Sequence, residues 1–386
     1  MEKTWRWFGK KDKITLPMLR QIGVEGIVTA LHDVPNGEIW TLDAILDLKK
    51  HIEDAGLRWS VVESLPVSEA IKYAGDDCEQ LLANYEISLE NLGKAGVTTV
   101  CYNFMPVIDW VRTDLDHPWD DGSSSLYFDK IRFAYFDCCI LKRDDAEKDY
   151  SEDEIRRVRE LDKVISESEK DALIDAIIVK TQGFVNGNIR EGDQNPVELF
   201  RRLLDLYKGI DRDKLRLNMK RFLECIMPVC EKYGINMCVH PDDPPRQLFG
   251  LPRIVTGSDD IRWLLQAVDN PHNGLTFCAG SLSAGLHNDV PQMAEEFAPR
   301  TRFVHLRSTN VLDNGDFIEA SHLEGRGHLI DVVRTFEKKN PNVPMRVDHG
   351  RLMLDDKEKT YNPGYSFLGR MFALAQMEGV MAAVRN

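Results

Sequence analysis

Four short apolar runs in the second half of the chain each carry, at or just past their end, a side chain of the kind that binds metals. They are Met237–Asp242 (MCVHPD), Leu275–Gly280 (LTFCAG), Arg302–Arg307 (RFVHLR) and Met345–Gly350 (MRVDHG). Each reads as a β-strand, and His240, Cys278, His305 and Asp348 stand 38, 27 and 43 residues apart. A strand with its crossover helix needs about 30 residues, so these positions suit four successive βα units. In a (β/α)₈ barrel the carboxyl ends of the strands ring one mouth, where active sites are built. On that fold the four side chains converge. A thiolate, two imidazoles and a carboxylate form a metal-ligand set that leaves positions for a substrate. Any one alone reads more simply as a packed thiol or a satisfied core histidine.

Upstream, Gly26–Leu31, Trp59–Glu63 and Thr98–Phe104 read as three further strands, separated by amphipathic helices at Leu42–Ala55 and Cys78–Ala95 that stop at Gly56 and Gly96. This alternation argues for a parallel α/β sheet. From about Pro106 to Arg216 the rhythm lapses: Asp109–Ser125 is rich in turn residues, and Ala146–Ile178 is densely charged at helical spacing. The expectation is one barrel domain over residues 1–386, with about 106–216 forming a mostly helical insertion between the third and fourth strands read. Regular units resume with a helix at Asp213–Tyr233, and helices at Asp259–Val268, Asp289–Phe297 and Leu329–Lys339 separate the ligand strands. Ser366–Ala383 reads as an apolar helix, alone or followed by a short strand at Val380–Val384. Seven strands are read this way, and the eighth is inferred from closure of the barrel. The aromatic group Trp5, Trp7 and Phe8 reads as a docked terminal plug.

Charge narrows the partners. The net charge is −14, which repels phosphate backbones and disfavours nucleic acid. An anionic small substrate needs a local cation to offset that field, and a divalent metal supplies one. The eight cysteines show no CxxC zinc spacing and several lie in apolar runs, as reduced core thiols do. The opening Met1–Trp7 lacks the apolar centre of a secretion signal, and no run reads as a membrane span. The expected location is the cytoplasm. Neither a phosphate-binding loop nor a dinucleotide glycine fingerprint occurs.

Other residues fit around the ligand set. Arg307 lies two residues past His305 and so faces the same way along the strand, suited to a substrate carboxylate or to a salt bridge at the rim. Asp242 begins a rigid acidic loop that could hold a substrate hydroxyl or cap a turn. His349 follows Asp348 where strand becomes loop, and Tyr365 sits on the Pro363-Gly364 turn, aimed by a stiff backbone. Asn103 and His32 follow earlier strands toward the same mouth.

Laid out in order, TWRWFG at Thr4–Gly9, VTALHDVPNGEIW, WSVVES, TVCYNFMPVIDWVRTDL, VHPDDPPR, GLPRIV, HLRST, DHG and NPGYS are closely similar to the mannonate dehydratases of hexuronate degradation, over essentially the whole length. VHPDDPPR, HLRST and DHG together are the specific part. The resemblance implies a xylose-isomerase-like TIM barrel and removal of water from D-mannonate to give 2-dehydro-3-deoxy-D-gluconate. It also implies Mn²⁺ or Fe²⁺ as cofactor, although a thiolate by itself favours Fe²⁺, Co²⁺ or Zn²⁺ over Mn²⁺. By matching motif it places the metal on His240, Cys278, His305 and Asp348, and the acid/base pair on His349 and Tyr365. Arg307, Asp242 and Asn103 are left as substrate-binding candidates. The implied partner is a sugar acid, with no nucleic acid and no membrane, and a homo-oligomer is left open. Two rival readings are a metal-dependent sugar isomerase on the same barrel and a non-catalytic sugar-acid binding protein. Isomerases of that type usually use carboxylate-rich paired metal sites, which this ligand set does not offer.

Overall fold

In chain order the strands are β1 (Glu2–Arg6), β2 (Gly26–Thr29), β3 (Arg58–Glu63), β4 (Thr99–Tyr102), β5 (Asp114–Pro118), β6 (Ser124–Phe128), β7 (Asn236–Val239), β8 (Asn273–Cys278), β9 (Thr301–Leu306), β10 (Thr309–Val311), β11 (Phe317–Glu319) and β12 (Pro344–Val347). The computed structural model from which they are taken describes residues 1–183, 189 and 192–385; parts of the expected insertion, at 184–188 and 190–191, lie outside these. Eight strands close into a barrel in the order β1-β12-β9-β8-β7-β4-β3-β2, every pair parallel. Helices between consecutive strands cover its outside, as right-handed βα crossovers require.

The seven strands read from the sequence are all present. The eighth precedes them: in β1, Thr4 pairs with Arg346 on one side and Gly26 on the other. Trp5 and Trp7 are therefore buried as part of the barrel wall and its rim, and are not a terminal plug. A five-residue strand with three charges and no preceding βα unit carries too little apolar pattern to be read alone. No strand forms at Val380–Val384, because the helix Phe367–Arg385 runs through it. That helix is long and apolar enough to cross a membrane by length and hydropathy. In the fold it packs on the helix Leu329–Lys339, burying Ala373, Leu374, Met377 and Met381.

Helix boundaries follow local chemistry. Thr41 caps the helix Leu42–Asp54, which buries Ile45, Leu48 and Ile52 on one face. Asp211 caps Arg212–Tyr233, and Gly234 ends it in the left-handed conformation. Between β4 and β7 run the helices Lys130–Tyr135, Glu152–Asp162, Glu167–Ile174 and Pro196–Asp205, the second and third opened by reciprocal capping boxes at Ser151 and Ser166. The turn-rich stretch around Asp109–Ser125 also contributes β structure. Here β5 and β6 pair and join β10 and β11 in a four-stranded antiparallel sheet, order β10-β11-β6-β5, over the barrel mouth side. With two aspartates and a terminal proline, β5 has almost no strand signal of its own.

Candidate active site at the carboxyl ends of the strands

The strand ends deliver the expected side chains to one place. His240 follows β7, Cys278 ends β8, His305 lies in β9 and Asp348 follows β12. The potential ligand atoms of His240, Cys278 and His305 all lie within 4.8 Å of one another. The fourth, Asp348, brings Oδ2 to 3.9 Å from the Cys278 sulfur.

Each group is prepared by its surroundings. His240 Nδ1 lies 2.7 Å from the Pro241 carbonyl, which can only accept, so this nitrogen carries a hydrogen and Nε2 is the one left to face a cation. Burial opposes a charged His240, yet the Cys278 sulfur outweighs it and pushes the imidazole up to about 10. The pocket beside the thiol therefore favours positive charge. His305 is driven the other way, well below the ordinary histidine range, by burial and by Arg346. Its Nε2 is buried and makes no hydrogen bond, lying 3.4 Å from Glu63 Oε1. Cys278 receives hydrogen bonds from Ser281 through both the backbone N–H (3.4 Å) and Oγ (3.1 Å), which fix the position of its sulfur. An imidazole whose Nε2 makes no hydrogen bond, a cysteine sulfur and a nearby carboxylate fit a divalent cation.

Around this set runs a buried chain of alternating charge. Arg6 meets Glu63 at 3.1 Å, Glu63 meets Arg346 at 2.9 Å, and Arg346 holds Asp348 Oδ1. Asp348 Oδ2 lies 2.9 Å from Arg307, which also holds Asp243. Arg112 joins Asp243 (2.8 Å) to Glu319 (2.7 Å), and Glu319 meets His349 at 2.8 Å. Burial alone would raise Asp348, but Arg346, His349 and Arg307 hold its carboxyl well below the usual range. Removing one partner from such a pair leaves an uncompensated buried charge, at a cost of about 3–5 kcal/mol.

The cavity above these groups takes in about 480 Å³ when its open mouth is included. Asn103, Arg307, Asp348, His349, Tyr365 and His240 all line it. Asn103 donates to Asp109. His349 sits between Trp110 and Tyr365, ring centroids 4.9 and 5.1 Å away. The Asn-Pro-Gly turn passes so close that a Cβ on Gly364 would lie 2.7 Å from the imidazole, and its φ of +81° suits glycine. Burial pushes the Tyr365 phenol up to about 12.

Two expectations are modified. Asp242 does not line the cavity: its carboxylate accepts from Val255 N at 2.8 Å and from Arg253 at 3.3 Å, and Asp243 takes the wall position. The strand's alternation has ended there, so adjacent loop residues cannot be assigned faces by period. Arg307 does line it, but its guanidinium is already shared among Asp243, Ser281 and Asp348. Its path depends on Gly280, where a Cβ would lie 1.9 Å from Arg307 Nε. The sequence reading missed Arg6, Glu63, Asp109, Glu319 and Arg346, and in the acidic loop it singled out Asp242 over Asp243. Of the residues missed, only Glu63 and Arg346 carried a signal, as charged residues inside strands already read.

A family model described as D-mannonate dehydratase (UxuA) matches residues 1–386. The chain belongs to the D-mannonate dehydratase family. Mannonate dehydratases from Marinomonas sp. and Chromohalobacter salexigens are 46% and 44% identical, over 100% of this chain and 100% and 99% of theirs. The crystal structure of mannonate dehydratase from Streptococcus suis superposes with a TM-score of 0.81 at 34% identity, covering 100% of this chain and 95% of that one. A D-psicose 3-epimerase from Clostridium cellulolyticum shares the fold alone, with a TM-score of 0.50 at 10% identity, covering 100% of this chain and 99% of that one. The activity is that of a hydro-lyase acting on D-mannonate, a sugar acid. The isomerase and the non-catalytic binding readings fall away with this match.

Proposed function

We propose that His240, Cys278, His305 and Asp348 hold one divalent cation, Mn²⁺ or Fe²⁺, and that His349 and Tyr365 carry the two protons of the elimination. The observation that supports this reading is the convergence of the His240, Cys278 and His305 donor atoms within 4.8 Å of one another, with Asp348 Oδ2 3.9 Å from the sulfur and a buried His305 Nε2 that makes no hydrogen bond.

Loss of water from D-mannonate removes the C2 proton and the C3 hydroxyl, and the resulting enol tautomerises to 2-dehydro-3-deoxy-D-gluconate. The C2 proton is weakly acidic, because its loss adds charge to a molecule that is already an anion. When bound, the cation supplies Lewis acidity toward the substrate's carboxylate end, worth several kcal/mol. Arg307 and Asn103, on the cavity wall, orient the substrate's polar groups. Tyr365, held at about 12, keeps its proton at neutral pH and can protonate the departing hydroxyl. His349 then takes the C2 proton.

The test is direct. Protein loaded with Mn²⁺ or Fe²⁺ should release a 2-keto-3-deoxy acid from D-mannonate. His349→Asn and Tyr365→Phe should each keep their metal and lose about 10²–10⁴-fold in kcat. In deuterated solvent, Tyr365→Phe should still exchange the C2 proton and His349→Asn should not. The reverse pattern exchanges the two roles, and near-parent turnover in both removes the pair from the mechanism.

A further inference from the structure

We propose that Glu319 is a positioning residue for His349, fixing the imidazole in the tautomer that presents Nε2 to the substrate. The inference rests on the proton-transfer role given to His349 above, and it concerns a residue that stands on no barrel strand.

Both Glu319 oxygens face His349 Nδ1, at 2.8 and 3.1 Å. A carboxylate only accepts, so a ring lone pair pointed at two acceptor oxygens would be repelled. Nδ1 therefore carries hydrogen, and the lone pair of the neutral ring lies on Nε2. Nε2 is on the opposite side of the ring, 3.8 Å from Asp348 Oδ1, at the cavity that His349 lines. One neighbour argues for the other tautomer: Arg307 Nη1 is 3.1 Å from Nδ1, and a guanidinium only donates. The carboxylate prevails because it is closer, offers both oxygens, and faces an Arg307 nitrogen that already serves Asp348 at 2.9 Å.

The carboxylate is itself held. Arg112 binds Glu319 Oε1 at 2.7 Å, and both side chains are buried, with Arg112 fully so. Trp110 and Tyr365 flank the imidazole, so the ring cannot turn away without displacing them. Glu319 is the last residue of β11, which ties the four-stranded accessory sheet to the chemistry. The arrangement has the logic of a serine-protease triad, where a buried carboxylate sets the histidine tautomer and its amide analogue lowers kcat about 10⁴-fold.

Glu319→Gln tests it, since an amide NH₂ would donate to Nδ1 and reverse the tautomer. With D-mannonate as substrate and Mn²⁺ as the metal, kcat should fall about 10²–10⁴-fold, KM should stay within about two-fold, and bound Mn²⁺ should be unchanged. Glu319→Asp should recover part of the loss. Glu319→Gln/His349→Asn should be no slower than His349→Asn alone, because a residue acting through His349 has nothing left to act on. Should Glu319→Gln fail to fold, Glu319→Asp carries the same cycle, its shorter arm drawing the carboxylate off Nδ1. An inactive His349→Asn beside an undiminished Glu319→Gln, or losses that simply add in the double variant, would overturn the proposal. Near-parent turnover in His349→Asn would instead overturn the role of His349, and the proposal with it.

Discussion

Below the cavity, Val28, Val61, Cys101, Cys238 and Phe303 form an interior cluster at 0–1% exposure. Two residues further along the same strands stand Ala30, Glu63, Asn103, His240 and His305. The other three strands take the same step, from Thr4 to Arg6, from Thr276 to Cys278 and from Arg346 to Asp348. A step of two keeps the side chain on the same face and moves it about 6.6 Å along the strand. That distance separates a dry plug from a layer that is polar everywhere but at Ala30. The plug keeps water from below, so charges in the layer above must satisfy one another. The run of arginines and carboxylates from Arg6 to Glu319 does so pair by pair. Arg346 belongs to the lower rung by position but reaches upward to Glu63 and Asp348, which spares the plug a charge.

Identical or similar changes on the two rungs should therefore have different consequences. The largest effect belongs to the upper rung. Cys278→Ser should cost about 10³-fold or more in kcat/KM, the several kcal/mol that Lewis-acid assistance supplies. Bound metal should fall with it while the thermal midpoint of the metal-free protein stays close to the parent's. Elemental analysis and turnover on one preparation check this, and full metal occupancy with full rate would remove the sulfur from the site. On the lower rung, Phe303→Ala opens a cavity beneath His305, whose ring lies 4.6 Å from that of Phe303. It should cost about 3–5 kcal/mol of stability with metal stoichiometry retained in the folded fraction. Denaturant titration measures the first quantity. A variant of normal stability that has lost its metal would show that the rungs are not separate.

The two rungs also differ in how far they could be read. His240, Cys278, His305 and Asp348 were legible because each closes a short apolar run at βα intervals, so hydrophobic pattern and ligand type coincide. Asn103 was legible for the same reason. Arg6 was not, since β1 has only five residues and no βα unit ahead of it. The charge chain was invisible for another cause. Arg112 and Glu319 meet across 207 residues of sequence, through an accessory sheet whose strands are too short and too polar to announce their pairing. The choice between Asp242 and Asp243 lay in a loop, where the alternation that sorts faces has stopped. Pattern thus located the proposed ligand set, while the groups that hold and orient it depend on contacts distant in sequence.

Metal removal gives a smaller effect that still divides the rungs. A cation bound only by the folded state adds about 2.7 kcal/mol at a hundred times its dissociation constant. Adding Mn²⁺ to chelator-treated protein should raise the thermal midpoint by several degrees. Phe303→Ala should show the same increment from a lower baseline, whereas Cys278→Ser should show almost none. An equal increment in all three would place the cation elsewhere.

The smallest expected change is Cys238→Ser, and it isolates position from chemistry. Cys238 is as buried as Cys278, and both are unpaired thiols among the described residues. Its sulfur lies one rung lower, donating to the Val100 carbonyl at 3.3 Å. A serine hydroxyl can make the same bond, so no acceptor is abandoned. What changes is a slightly smaller, more polar atom in an apolar cluster, a cost of about 1 kcal/mol. Metal content and kcat should match the parent, with only a slight fall in thermal midpoint. The same atom exchange at position 278 should abolish metal binding. If Cys238→Ser also lost metal, the lower sulfur would have to reach the cation, and the boundary between the dry rung and the reactive one would sit one step deeper than drawn.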